Sequence, residues 1–308
     1  MDNQQQSSNG CTVSIGLPVY NGENFIEEAL DSILRQTFSD FELIICDNAS
    51  TDRTAEICQQ YAAQDSRIRY YRNSKNIGAA PNYNLTFERS QGKYFKWAPH
   101  DDTIAPDFIA RCVEVLEQDP AVCLCYTGMA YTNASGETIK TFTHILDLTA
   151  DTPSKRFKKY HELWSDRGFT PGLPVFGLIR SSVLKQTPLI GSYVWSDLAL
   201  VGELGLLGTF HEVSETLLFC RSHDKNSRAT RQQGGDAAFA AWFDPKNRDK
   251  LTLPHWRIFL EHIDAIKRAP MASQEKILCY KQMGKWITWK WKRLARELAW
   301  VLPKWIVS

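Results

Sequence analysis

An α/β architecture, with a mostly parallel central sheet flanked by helices and a helical C-terminal appendage, is what three features of this sequence predict. Up to His100, short β-rich apolar runs alternate with stretches whose apolar residues recur at helical spacing. Each run empties into a polar loop bearing Asn or Asp, so crossover helices would gather these loops at one sheet edge. From Lys281 onward the chain becomes basic and tryptophan-rich, again at helical spacing.

Val13 to Val19 alternates as a strand, Asn21 and Gly22 make a turn, and Ile26, Leu30, Ile33 and Leu34 mark one face of a helix. Residues 41–46 are almost wholly apolar, as in a strand covered on both sides, and lead through Asp47-Asn48-Ala49-Ser50-Thr51-Asp52 into a helix at 54–63. A third strand fits Ile68 to Arg72, then a turn at Asn76-Ile77-Gly78, a helix at 80–90 and a stop at Gly92. Tyr94-Phe95-Lys96-Trp97 then runs toward His100-Asp101-Asp102, with Pro106 placed to open the next helix.

Two adjacent carboxylates at the carboxyl end of a strand stand where open α/β sheets bind ligands, and their oxygens suit a hard divalent cation and, through it, a diphosphate. The same pair also reads as a solvated turn whose Asp caps a helix. Residues 123–132 form a further strand, after which the rhythm breaks. Asn133 to Gly136 is a turn, residues 155–159 a basic knot and residues 170–174 a rigid Pro-Gly loop. Residues 175–180 and 217–221 read as strands around a helix that begins near Asp197 and carries Leu200, Leu204 and Leu207. The glycine-closed, basic stretch 224–235, with Lys225, Arg228 and Arg231, reads as a mobile loop.

Composition bounds the rest. With 308 residues, 43% of them hydrophobic, the chain can bury a large core, and a net charge of +1 gives no field for nucleic acid. Residues 1–10 read as a disordered lead-in without the basic start or apolar run of a secretory signal. Eight scattered cysteines without paired spacing fit reduced thiols in a cytoplasmic core. No Walker-type loop or dinucleotide-binding glycine loop is present, which leaves phosphate binding to a metal.

Leu17-Pro18-Val19-Tyr20-Asn21, Asp47 to Asp52, and His100-Asp101-Asp102 with Pro106 following, taken in this order, resemble the family 2 glycosyltransferases across roughly residues 13–227. The resemblance implies a GT-A nucleotide-sugar fold and an inverting sugar transfer. It implies a catalytic domain at 11–227, with a nucleotide-binding half at 11–132 and an acceptor half at 133–227, before the loop and helical region 228–308. Pro18, Tyr20 and Glu23 would line the nucleotide pocket, with Tyr20 against the base, and Asp47 would hold base and ribose. Many members carry a second Asp where this chain has Asn48, which leaves the base preference open. Asp101 and Asp102 match the acidic motif that binds Mg²⁺ or Mn²⁺. On this resemblance Asp102 would be the direct ligand and Asp101 would contact ribose or a metal-bound water, and Pro99 stands where members often carry a further Asp. Asp197 matches the general base, although an N-cap is its plain structural alternative. His223, in Arg221-Ser222-His223, matches a closing segment at the metal or diphosphate.

The expected partners are a nucleotide diphosphate sugar and a glycan or lipid-linked glycan acceptor, without nucleic acid. At the C-terminus Trp291, Leu294, Ala295, Leu298, Leu302 and Trp305 share a stripe beside Lys285, Lys292 and Arg296. Peripheral contact with an anionic membrane at the cytoplasmic face, and packing on this chain or a second copy, both stay open. Two other functions fit less of the sequence. An inactive nucleotide-sugar binding module would suit Pro99 and Asn48. A nucleotidyltransferase would need a basic glycine loop after the first strand, where Pro18 to Gly22 has no Lys or Arg.

Overall fold

The computed structural model describes residues 11–143, 146–165, 173–224, 226–248, 250 and 253–306. In chain order they form β1 (Val13–Val19), α1 (Ile26–Leu34), β2 (Phe41–Asp47), α2 (Thr54–Gln64), β3 (Ile68–Arg72), α3 (Ala79–Glu88), β4 (Tyr94–Trp97), β5 (Thr103–Ile104), α4 (Phe108–Gln118), β6 (Val122–Thr132) and β7 (Thr138–Phe142). There follow α5 (Pro153–Ser165), β8 (Leu178–Arg180), α6 (Ser181–Leu184), α7 (Ser196–Leu207), β9 (Thr209–Arg221), α8 (Ser227–Phe243), α9 (Pro254–Arg268) and α10 (Ser273–Ile306).

One sheet runs through the molecule in the order β3-β2-β1-β4-β8-β6-β9-β5, with β7 added on β6. β3, β2, β1 and β4 are mutually parallel, as the alternation of strands and helices predicts. Every residue of β1 is buried, because helices cover both faces of the sheet here. Beyond β4 the sheet becomes mixed: β8 is antiparallel to β4 and β6, β7 to β6 and β5 to β9, while β6 and β9 run parallel. The link from β6 to β7 is only a turn, too short to return the chain for parallel pairing.

Two segments differ from expectation. The stretch expected to be a mobile loop is largely helical: α8 starts at Ser227 and bends at Gly235, whose positive φ of 67° joins two helical stretches. Glycines that read as loop closure thus mark a kink. The basic knot lies inside α5, with Phe157, Tyr160 and His161 turned to the core. The lead-in at 1–10, the centre of the expected rigid loop at 170–172, Lys225 and the side chains of Arg228, Leu302 and Trp305 lie outside the described residues.

All the described cysteines are free, and burial pushes the Cys46, Cys58 and Cys123 thiols up to about 12. Lys96 is fully buried in β4, its ammonium 4.3 Å from the Phe108 ring centre and donating to the Phe176 carbonyl. Burial pulls its pKa down to about 8.

A second core joins α7 to α5, α9 and α10 through Phe157, Leu198, Leu206, Ile258, Ile266, Met283 and Trp286. Gly202 allows the close approach of α7 to α9, since a Cβ there would meet His262 Nε2 at 2.8 Å. His262 stacks edge-on against His161 at 4.7 Å, and Arg268 on α9 pairs with Glu203 on α7 at 2.9 Å. Burial drives His262 down to about 3, so the folded ring stays neutral in mild acid. The unfolded chain takes up that proton as pH falls through 6.5, binds more protons than the native state, and is favoured. From pH 7 to pH 5 this removes about 2 kcal/mol of stability. Denaturant titrations at the two pH values should show a smaller loss in His262→Gln than in the native chain; equal losses would discard the assignment.

Candidate active site

The carboxyl ends of β1, β2 and β4, the end of β9 and the start of α8 surround a cleft of about 590 Å³. Pro18 and Tyr20 line it from the end of β1, and Asn48 lines it from the loop after β2. His100, Asp101 and Asp102 come from the turn after β4, and Arg221 and His223 from the end of β9. Gly22 is required where it stands, because a Cβ would meet the His100 ring at 2.6 Å. The first two loops brace each other: Asn21 N–H donates to Ser50 Oγ at 2.9 Å, and Gly22 N–H to Thr54 Oγ1 at 2.8 Å.

Asp101 and Asp102 are held by residues about 120 positions later in the chain. Asp102 Oδ1 accepts the Arg221 backbone N–H at 2.9 Å, and Asp101 Oδ2 meets His223 Nε2 at 2.9 Å. The Arg221 side chain is buried and donates to the carbonyls of Asp101 and Ala134 and to the Glu28 carboxylate. Its guanidinium lies 4.8 Å from the Phe25 ring centre, and His223 packs against the same ring at 4.7 Å. Burial raises the Asp102 carboxyl to about 7, helped by the neighbouring Asp101 charge and opposed by the Arg221 N–H. Burial also acts upward on Asp101, but the His100 charge and the His223 contact leave it below its ordinary value. Two carboxylates that repel each other in a half-buried cleft, with oxygen donors facing it, fit a divalent cation. Among the described residues no three His, Cys, Asp or Glu side chains form a metal cage by themselves.

Glu23 and Asp47 lie beside the cleft, and Asn48 is tied into its wall. Glu23 accepts the Arg53 N–H at 3.1 Å and so ties the first loop to the start of α2. Asp47 is fully buried; it accepts from Ser50 N–H and Tyr70 OH, each at 2.8 Å, and from Arg72 Nε at 3.3 Å. Asn48 Nδ2 donates to Asn76 Oδ1 and the Gly78 carbonyl, while its oxygen accepts from Asn73 Nδ2 and Ile77 N–H. The amide therefore braces the loop before α3.

Asp197 is half-buried in the first turn of α7, and burial raises its carboxyl above the ordinary range. The residue at the helix cap is Trp195, in a left-handed conformation with φ 68°, so Asp197 is not the N-cap. Arg231 stacks over Trp195 at 5.0 Å and pairs with Asp236 at 2.9 Å. Asp197 does not line the cleft, but its charge reaches Tyr83, which does. The Tyr83 phenol is pushed up by burial and then by the charges of Asp101, Asp102 and Asp197.

The residues 14–187 match the model of glycosyl transferase family 2. The chain belongs to that family. It is 30% identical over 200 residues to an uncharacterized glycosyltransferase of Rickettsia typhi, a match covering 65% of this chain and 56% of that protein. It is 33% identical over 144 residues to TuaG of Bacillus subtilis, a glycosyltransferase named for teichuronic acid biosynthesis, covering 46% and 57%. The chain thus spans about half the length of these curated relatives. Among solved structures, TarS 1–349 of S. aureus in complex with UDP-GlcNAc overlays with a TM-score of 0.55 at 15% identity, covering 92% of this chain and 90% of that one. The mannosyltransferase PcManGT of Pyrobaculum calidifontis, solved with GDP-Man and Mn²⁺, gives 0.54 at 17% identity, covering 96% and 76%. These overlays show the fold, and the GT-A expectation holds for this family 2 chain.

Tyr83, Arg221 as a brace and Arg248, which reaches the cleft just beyond α8, were not singled out by sequence. The Asn48 network carries a prediction. Asn48→Asp replaces two donated hydrogen bonds by a carboxylate facing the Asn76 and Gly78 oxygens, and should cost about 3 kcal/mol in denaturant unfolding. An unchanged midpoint would mean that the amide does not hold this loop.

Proposed function

We propose that the chain is a divalent-metal-dependent inverting glycosyltransferase. It takes a sugar from a nucleotide diphosphate sugar to a hydroxyl of a glycan or lipid-linked glycan in polysaccharide synthesis. The observation that carries this is the convergence of Asp101, Asp102 and His223 with Pro18 and Tyr20 on one cleft. Support for the donor class comes from the nucleotide sugars bound by TarS and PcManGT, and for polysaccharide synthesis from the name of TuaG.

Tyr20, exposed at the mouth, stacks on the base, and Pro18 shapes the wall beneath it. Asp47 and Glu23 act on the nucleotide through the loops they brace. Asp102, with Asp101 and His223 beside it, would hold Mg²⁺ or Mn²⁺, which neutralises charge on the departing diphosphate. Asp197 takes the proton of the acceptor hydroxyl as that oxygen bonds to the anomeric carbon. The carbon's bond to the diphosphate breaks on the opposite face, and its electron pair leaves with the nucleotide. A carboxylate raised by burial is a stronger base for this step than a solvated one.

Thermal shifts with UDP, GDP, dTDP and CDP, each with and without Mn²⁺, should pick out one nucleotide whose stabilisation needs both the metal and Asp102 and disappears in Asp102→Ala. No shift with any of the four would overturn the donor site. With the sugar donor so identified, Asp197→Asn should keep the nucleotide shift and lose roughly 10³-fold in transfer. Full turnover in that variant would remove Asp197 as base.

A further inference from the structure

We propose that the outer face of α10 seats the protein on an anionic lipid surface. The inward side of α10 is already occupied: Cys279, Met283, Trp286 and Leu294 are buried in the second core, packed with Ile258, Ala265 and Ile266. Leu294 therefore leaves the expected stripe, and the exposed apolar line is a different one. Ile277 (53% exposed), Tyr280 (38%), Trp291 (57%) and Leu298 (43%) fall within about 60° of one another at helical spacing. Apolar side chains this exposed leave one side of a long helix open to solvent, with the Lys292 ammonium 5.8 Å from the Trp291 ring centre.

Charge selects the occupant. Lys281, Lys285, Lys292 and Arg296 lie along one flank of that line, all exposed. Within Ser273–Ile306 there are eight basic residues and two acidic ones, a net +6 in a chain whose total is +1. Both acids are used inward. Glu275 accepts the Ser154 N–H at 2.8 Å, and Glu297 accepts from the backbone N–H groups of His255 and Trp256 and meets His255 Nδ1 at 2.6 Å. The outer face thus presents basic charge beside an aromatic and aliphatic line. A second copy would bring the same positive charge against it and be repelled, whereas anionic headgroups attract it and the interface accepts indole and phenol rings. No helix among the described residues is long and apolar enough to cross a membrane, so the contact lies in the plane of the surface. This inference stands apart from the sugar-transfer reading.

Co-sedimentation of the full chain with vesicles of phosphatidylcholine plus phosphatidylglycerol, and with phosphatidylcholine alone, tests it. Retention is expected on the anionic vesicles, with loss at high salt and little retention on the neutral ones. Replacing Lys281, Lys285, Lys292 and Arg296 together by Gln should weaken retention by roughly three orders of magnitude. Trp291→Ala should weaken it and abolish the blue shift of tryptophan emission on vesicles. Far-UV circular dichroism checks that both variants keep the native fold. Equal retention of the native and four-Gln chains, or retention independent of lipid charge, overturns the proposal. So does a stable dimer that does not bind vesicles.

Discussion

The Arg221 side chain is the constraint on which the site depends. Its guanidinium is buried, yet each direction in which it donates is met: the Asp101 and Ala134 carbonyls and the Glu28 carboxylate, with the Phe25 ring beneath it. An arginine sealed in this way cannot swing, because any other rotamer would strand its charge away from water. Its own backbone N–H therefore stays against Asp102, and His223, two residues further, stays against Asp101. Through one side chain, α1, the turn after β4, the β6–β7 connection and β9 are brought into register around the acidic pair.

The remaining walls are held by polar side chains turned into the loops. Asp47 closes the turn after β2, and Asn48, Asn73, Asn76 and Asn82 form a chain of amides leading from that turn to α3. Asn48 and Asn82 both donate and accept, Asn73 donates to both of them and Asn76 accepts from Asn48, so the loops are joined without charge. The rigidity of the cleft thus comes from a network that starts behind its wall, at Asp47 and Asn73, and reaches its surface at Asn48, Asn76 and Asn82, while exposed Tyr20 and half-buried Tyr83 add aromatic rings to the lining.

The parallel half of the sheet was legible in the sequence because local signals set it: apolar runs, polar exits and helical periods repeat up to β4. The acidic pair, Pro18 and Tyr20 were legible for the same reason, since a strand's carboxyl end determines where its next residues stand. Glu23 and Asp47 could be assigned to a loop but not to a direction, as that depends on Arg53, Tyr70 and Arg72, which come from later elements. Tyr83 and Arg221 gain their meaning from contacts distant in sequence, and no local pattern reports those. At α8 the local signal misled, for paired glycines serve a kinked helix as readily as a loop. In α10, periodicity located the apolar residues, but only packing against α9 separated inward Leu294 from outward Trp291.

The parallel ladder between β6 and β9 has a consequence for the order in which the molecule is built. It runs from Val122 beside Thr209 to Thr132 beside Arg221, and the bond from Arg221 to Asp102 spans 119 residues of sequence. Strands β1 to β4 can pair as soon as their own helices have formed, but the acidic pair has no ceiling until the chain has been made through Arg221. Closing loops of that length is slow compared with local pairing. On the ribosome, the parallel half of the sheet would stand assembled with its two carboxylates still open to solvent, and the finished cleft would arrive late and all at once with the return of a single strand.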